Sequence, residues 1–155
     1  MYRVLAAILL TATTTVFAND LPNKKYLDLA HIKVMVSAAE AKAKELNVSV
    51  TICIVDESGN LLFLEKGETA SLNTIQFAQK KARHAAFYGR PSKEGADTIK
   101  KGNTEAMAFP EFFPNQGGLP IKIDGKILGG ISASGSKSEI DEAIAQSGLD
   151  ALLKP

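Results

Sequence analysis

The spacing of apolar positions changes several times along the chain, and each change marks an element. Over residues 25–46, Leu27, Ala30, Val34, Ala38 and Ala41 recur at three- and four-residue steps. That period predicts an amphipathic helix, with Asn47 suited to a left-handed cap. Residues 48–55 are dense in β-branched side chains and alternate at their start, which predicts a well-buried strand. Asp56-Glu57-Ser58-Gly59-Asn60 is a turn, and residues 61–64 open a second strand, giving a hairpin. Ser71 can cap a helix that runs to Tyr88 and is stopped by Gly89 and Pro91. Ser92 then opens a shorter helix ending at Gly102.

Residues 103–118 read as irregular, with Pro110 and Pro114 bracketing Phe112-Phe113 and Gly117-Gly118 behind them. Two further strands, residues 119–123 and 126–133, meet through Asp124-Gly125. A two-residue loop there sets Lys122 opposite Ile127; a slip by one sets Ile121 opposite Ile127 and keeps one face apolar. Ser136 and Glu139 have capping-box spacing for a last helix whose apolar face is Ile140, Ala143, Ile144, Ala151 and Leu152. The order helix, hairpin, two helices, hairpin, helix predicts an α+β domain with one antiparallel sheet and helices against it.

The N-terminus follows a different logic. Arg3 precedes an unbroken apolar run over residues 4–10, small residues follow, and Val16-Phe17-Ala18 presents small side chains where a signal peptidase reads. Residues 1–18 are therefore expected to be a secretory signal peptide cleaved after Ala18, leaving residues 19–155 as a single periplasmic or secreted domain. An uncleaved anchor is the alternative, but the run is short of the roughly 18 residues a spanning helix needs. In an oxidising compartment the lone Cys53 is either buried or paired with another chain, and its mid-strand position predicts a buried, inert thiol.

Composition narrows the function by exclusion. The chain carries 18 basic against 17 acidic residues, without the cationic excess that nucleic-acid binders show. One cysteine excludes an internal disulfide framework and a Cys-rich metal site. No phosphate loop, dinucleotide fingerprint, nucleophile elbow or H-E-x-x-H motif occurs, and Gly129-Gly130 lies inside a strand pattern. Hydrolytic and phosphoryl-transfer chemistry therefore have little support.

The second helix holds the most informative surface. Leu72, Ile75, Gln79, Ala82 and Ala86 fall on one face and should meet the sheet, while Phe77, Lys81, His84 and Tyr88 form a second stripe. That stripe sets an imidazole between aromatics, with Lys80, Lys81 and Arg83 close by. Imidazole ligates haem iron, aromatic faces stack on a macrocycle, and cations match propionates. The same stripe also suits an oligomer interface, and the two coincide where a ligand sits between subunits. His31, early on the first helix, reads as a solvated histidine with a lesser claim as a metal ligand. Met107 is either a packing residue or a soft axial ligand.

Larger segments carry a resemblance. Val48-Ser49-Val50 through Val55-Asp56-Glu57-Ser58-Gly59-Asn60-Leu61-Leu62 is followed by Gln79-Lys80-Lys81-Ala82-Arg83-His84-Ala85-Ala86. Gly117-Gly118-Leu119-Pro120-Ile121, Asp124-Gly125-Lys126-Ile127-Leu128-Gly129 and Ser134-Gly135 leading to Asp141-Glu142-Ala143-Ile144-Ala145 complete the set. In order and spacing these resemble the GlcG/HbpS family of haem-binding, or haem-degrading, proteins, a domain also found at the C-terminus of PduO-type adenosyltransferases. The resemblance implies a profilin-like fold with a five-stranded antiparallel sheet, and homo-oligomers from dimer up to octamer. It further implies haem as ligand, in sequestration, carriage, sensing or breakdown. His84 stands where the family motif usually has a threonine close to the haem iron, a departure that either strengthens ligation or repurposes the site.

The resulting expectation is an exported, oligomeric haem-binding protein with no nucleic-acid partner and no membrane span after signal cleavage. His84 is the expected iron ligand, and Lys81 and Arg83 the propionate partners. Phe77, Phe87 and Tyr88 supply stacking surface, and Gly117 and Gly118 let the loop backbone approach the ligand or a neighbouring subunit. The alternatives are an enzyme acting on haem or a small metabolite, and a ligand-free module whose helix-two stripe is only an interface. No catalytic residue is assigned.

Overall fold

The computed structural model describes residues 23–154, so the expected signal segment 1–18 lies outside the described residues. The described chain runs α1 (Leu29–Glu45), β1 (Thr51–Asp56), β2 (Leu61–Lys66), α2 (Thr74–Tyr88), α3 (Ser92–Lys100), a 3-10 turn (Thr104–Ala108), β3 (Gly118–Ile123), β4 (Lys126–Ser134) and α4 (Ser138–Leu153). The strands form one antiparallel sheet in the order β2-β1-β4-β3. The α+β class and the two hairpins agree with the sequence pattern, but among the described residues the sheet has four strands, not five. Between α3 and β3 the chain holds Pro110 and Pro114 and a 3-10 turn, and Glu111 takes a positive φ of 58°. Prolines cannot donate to a ladder, so no further strand forms there.

Helices cover both faces of the sheet. Ile54, Ile121, Leu128 and Ile131 pack with Ile32, Met35 and Val36 of α1 and Ala145 of α4. Cys53 and Val55 point the other way, onto Ala78, Ala82 and Ala86 of α2. This alternation along β1 makes it a central strand buried on both sides. Alanine is what α2 needs at its contact face, because the helix backbone almost touches the strands. A Cβ added at Gly130 would lie 2.2 Å from the Ala82 carbonyl oxygen, and one at Gly118 2.3 Å from that of Lys81.

Several helical faces are rotated from the expected ones. On α1 the buried residues are Ile32, Met35, Val36, Ala39 and Ala43, while Ala30, Val34 and Ala41 face solvent. Larger side chains remove more apolar area from water, so Ile32, Met35 and Val36 set the rotation over an alanine stripe. On α2, Ala82 and Ala86 meet the sheet as expected, but Leu72 precedes the helix and is exposed. On α4, Ala143 is exposed and Asp141, Ile144, Ala145 and Gly148 are buried. Its expected capping box does not form: Lys137 is the N-cap without a side-chain bond, and the Ser136 N–H donates to Asp141 Oδ1 at 2.9 Å.

The β3–β4 hairpin takes the two-residue-loop register, and the slipped pairing of Ile121 with Ile127 does not occur. Asp124 and Gly125 take φ of 52° and 74°, the paired positive values of a two-residue turn that matches strand twist. That turn puts Lys122 opposite Ile127, and an irregularity between Ile121 and Lys122 then sets Ile121 opposite Gly129. One extra residue returns the apolar side chains to the core face. Pro120 is accommodated because β3 is an edge strand.

Candidate functional site

Helix α2 carries most of the expected site residues, but its packing divides them. His84 is fully buried, with its ring 4.8 Å from Tyr88 and 5.2 Å from Phe112 between centroids. Its Nδ1 accepts the Phe113 N–H at 2.9 Å. A neutral imidazole that accepts at one nitrogen carries its proton on the other, so Nε2 is a donor, and it is buried without a partner. Helix α3 closes this edge: a Cβ added at Gly95 would lie 3.3 Å from Nε2. Burial, helped by the nearby Arg90 charge, holds the ring neutral and lowers its pKa to about 4.

The two cations expected to face propionates are already engaged. Lys81 Nζ donates to Asp141 Oδ2 at 2.8 Å and to the Ala133 carbonyl at 3.1 Å, inside the protein. Burial pushes the Asp141 carboxyl above its ordinary range, against the opposing pull of Lys81. Arg83 grips Glu111 with two bonds, Nε to Oε2 at 2.7 Å and Nη2 to Oε1 at 2.5 Å, and also donates to the Gly59 carbonyl. Gly117 and Gly118 are buried against Lys81, so their close approach serves α2 within the same chain. Phe77 and Phe87 remain exposed, as do Met107 and Phe109, while Tyr88 is half-buried and donates to the Pro110 carbonyl at 2.6 Å. Lys80 and Arg90 lie over the rings of Phe113 and Tyr88.

The other histidine has the opposite arrangement. His31 sits in the first turn of α1, where Asp28 Oδ1 accepts its backbone N–H at 2.9 Å and contacts its Nδ1 at 2.7 Å. Those hydrogen bonds, the backbone one first, hold the Asp28 carboxyl below its usual range. An ionised carboxylate only accepts, so Nδ1 carries a proton, and in the neutral ring the Nε2 lone pair is free. Nε2 has no hydrogen-bond partner among the described residues, and the side chain is 59% exposed.

His31 lines a groove of about 400 Å³ with Lys24, Lys25, Tyr26, Ile123, Leu128 and Leu152. An adjoining hollow of about 460 Å³ shares Ile123 and Leu128 and adds Ile127 and Lys126. The floor is aliphatic, and the rim carries Lys24, Lys25 and Lys126 with the carboxylates of Asp28 and Asp124 among them. Two rim lysines make surface ion pairs, Lys24 with Glu57 and Lys25 with Asp124, which cost little to exchange for another anion. Sequence periodicity missed this groove because the N-terminal segment, α1, the β3–β4 hairpin and the end of α4 build it together from distant positions. No group of three His, Cys, Asp or Glu side chains among the described residues could hold a metal ion alone. None of the described helices is long and apolar enough to cross a membrane.

A family model described as "Haem degrading protein HbpS-like" matches residues 27–150. The chain belongs to the HbpS-like family. Among its relatives, GlcG of Escherichia coli is 30% identical over 100 residues, 64% of this chain and 75% of that one. The corrinoid adenosyltransferase PduO of Salmonella typhimurium is 29% identical over 119 residues, 74% of this chain but 35% of PduO. A double mutant of HbpS from Streptomyces reticuli superposes with a TM-score of 0.79 at 26% identity, covering 92% of this chain and 97% of that one. A PduOC:haem complex superposes with a TM-score of 0.76 at 27% identity, covering 82% and 95%.

Within this HbpS-like chain the two histidines differ in what they can do for a metal. A metal-bound imidazole gives its second N–H to an acceptor and keeps one lone pair for the ion. His31 has that arrangement and open space beside it. His84 has its lone pair occupied by the Phe113 N–H and its proton turned into the interior.

Proposed function

We propose that this HbpS-like protein binds haem in the groove beside α1, with His31 Nε2 on the iron. The observation that carries this reading is the Asp28–His31 bond, which leaves a free imidazole nitrogen on an aliphatic groove rimmed by lysines. Ile123, Leu128 and Leu152 would meet the porphyrin, and Lys24, Lys25 and Lys126 would face the propionates. The groove and its neighbour fall within the roughly 300–1,000 Å³ of small-molecule sites. The family description and the PduOC:haem complex support haem as the ligand class. When bound, haem would supply ferric–ferrous chemistry; this chain would contribute an imidazole ligand, anion partners and an apolar seat.

The earlier assignment of His84 as ligand has less support, because ligation there requires the Phe113 bond to break and α3 to move. We also read the protein as exported through residues 1–18 and as a homo-oligomer, its contact between copies using the exposed Phe77, Phe87, Met107 and Phe109. The test is hemin titration of the chain lacking residues 1–18, following the Soret band in wild type, His31→Ala and His84→Ala. Saturable binding that is lost in His31→Ala and retained in folded His84→Ala is expected. Unchanged binding in His31→Ala overturns the site, and no saturable binding in the wild type overturns the function. The family description also favours a degrading role; recovery of intact haem after incubation with reductant and oxygen separates carriage from breakdown.

A further inference from the structure

We propose that Asp28 is the positioning residue of this site, and that its charge behind His31 makes the site prefer ferric over ferrous haem. This rests on the reading of His31 as the iron ligand. Capping α1 requires only that Asp28 accept a backbone N–H, which it does from His31 at 2.9 Å. The same oxygen, Oδ1, also accepts a bond from the ring Nδ1–H at 2.7 Å, one that capping does not need. One atom thus fixes where the helix starts and which imidazole nitrogen faces the groove. Spacing makes this possible: the N-cap side chain reaches the backbone of the third residue on, and a histidine there brings its ring within reach of the same carboxylate.

The chemical consequence follows from charge. A carboxylate hydrogen-bonded to Nδ1 raises the electron density at Nε2, and a more basic ligand stabilises the more highly charged metal. A neutral acceptor in the same place would hold the tautomer without supplying that charge. Asp28 and His31 are both about half exposed, so solvent screens the effect and a moderate preference is expected. Asp28 is thereby assigned two functions that substitutions can separate.

The experiment uses the chain lacking residues 1–18 with Asp28→Asn, Asp28→Ser and His31→Ala. Nitrogen-15 NMR of the haem-free wild type at neutral pH reads the His31 tautomer directly; a proton on Nδ1 is expected, and a proton on Nε2 overturns the proposal before any haem is added. In Asp28→Asn the amide oxygen still accepts from both N–H groups. Haem binding should persist, while the ferric-to-ferrous affinity ratio falls about tenfold, a rise of about 59 mV in the one-electron midpoint potential. In Asp28→Ser the hydroxyl still caps the helix but does not reach the ring, so helix content is retained while haem affinity falls about 10–100-fold. Wild-type potential in Asp28→Asn and wild-type affinity in Asp28→Ser, with His31→Ala inactive in binding, would reject the role of Asp28 and leave the site standing. Normal binding in His31→Ala rejects the site itself.

Discussion

The ammonium of Lys81 lies 2.8 Å from the carboxylate of Asp141, with the two side chains only 2% and 3% exposed. The pair ties the middle of α2 to the first turn of α4, and it also holds the end of β4 through the Ala133 carbonyl. Asp141 Oδ1 meanwhile accepts the Ser136 N–H, so both carboxylate oxygens are occupied. A fully paired buried charge of this kind organises the fold. It does not present a cation to a ligand.

Lys81→Met should therefore fail through stability before it fails through binding. Removing one partner of a buried ion pair typically costs about 3–5 kcal/mol, because the other charge is left without compensation. Replacing both, as Lys81→Met with Asp141→Leu, should recover most of that loss. Urea unfolding of the single and double variants measures it; a single variant as stable as wild type would show that the pair is solvated.

The close seating of α2 makes a second prediction. In Gly130→Ala the new methyl would stand 2.2 Å from the Ala82 carbonyl oxygen, and the obstacle is backbone. Helix and sheet must separate, at about 3 kcal/mol or more. Gly102→Ala, whose Cβ meets nothing within 4 Å but whose φ is 90°, carries a left-handed backbone cost that Gly130→Ala does not, and so shows what strain without a clash removes. Thermal unfolding should place Gly130→Ala well below Gly102→Ala.

Local chemistry fixed in short segments was legible in the sequence. Asn47 takes its left-handed cap, Gly89 ends α2, and Asp124-Gly125 makes a two-residue turn. Rotation of the helices was not legible, because α1 offers an alanine stripe and an Ile–Met–Val stripe, and only the packed sheet selects between them. The same holds for chemistry. The stripe of Phe77, Lys81, His84 and Tyr88 is real on α2, yet Asp141, 60 positions from Lys81, and Phe113, 29 positions from His84, decide what those side chains do. The groove beside His31 depends on four segments with no shared period, while the Asp28-x-x-His31 spacing that marks it lies in plain view.

Cys53 should be silent in the native protein. Its thiol is wholly buried between β1 and α2, and burial pushes its pKa up to about 12. The thiolate that reacts with disulfide reagents is then essentially absent at pH 8. Colour from an aromatic disulfide reagent should appear only in denaturant; rapid native labelling would place Cys53 at an accessible surface.

Acid should weaken the fold through His84. In the unfolded chain its pKa is near 6.5, whereas in the folded protein burial lowers it to about 4. Between those values the unfolded chain holds a proton that the folded one refuses, so stability falls as pH drops from 6.5 toward 4. The separation corresponds to about 3 kcal/mol at most, since opening of the loop at Phe113 relieves part of it. Below about 4 the folded ring is protonated as well, Nδ1 becomes a donor, and its bond from the Phe113 N–H is lost. Carboxylates add to this lower down: Asp28 and Glu111, held below their ordinary values, lose stabilisation only as pH falls through and below the ordinary carboxylate range, while Asp141, shifted upward, gains it. Comparison with His84→Asn isolates the histidine, because the asparagine carbonyl can accept the same N–H without titrating. Urea midpoints at pH 7 and pH 4.5 should draw apart in wild type by more than in His84→Asn; equal separations would show that the ring is solvated and that the loop over it stands open.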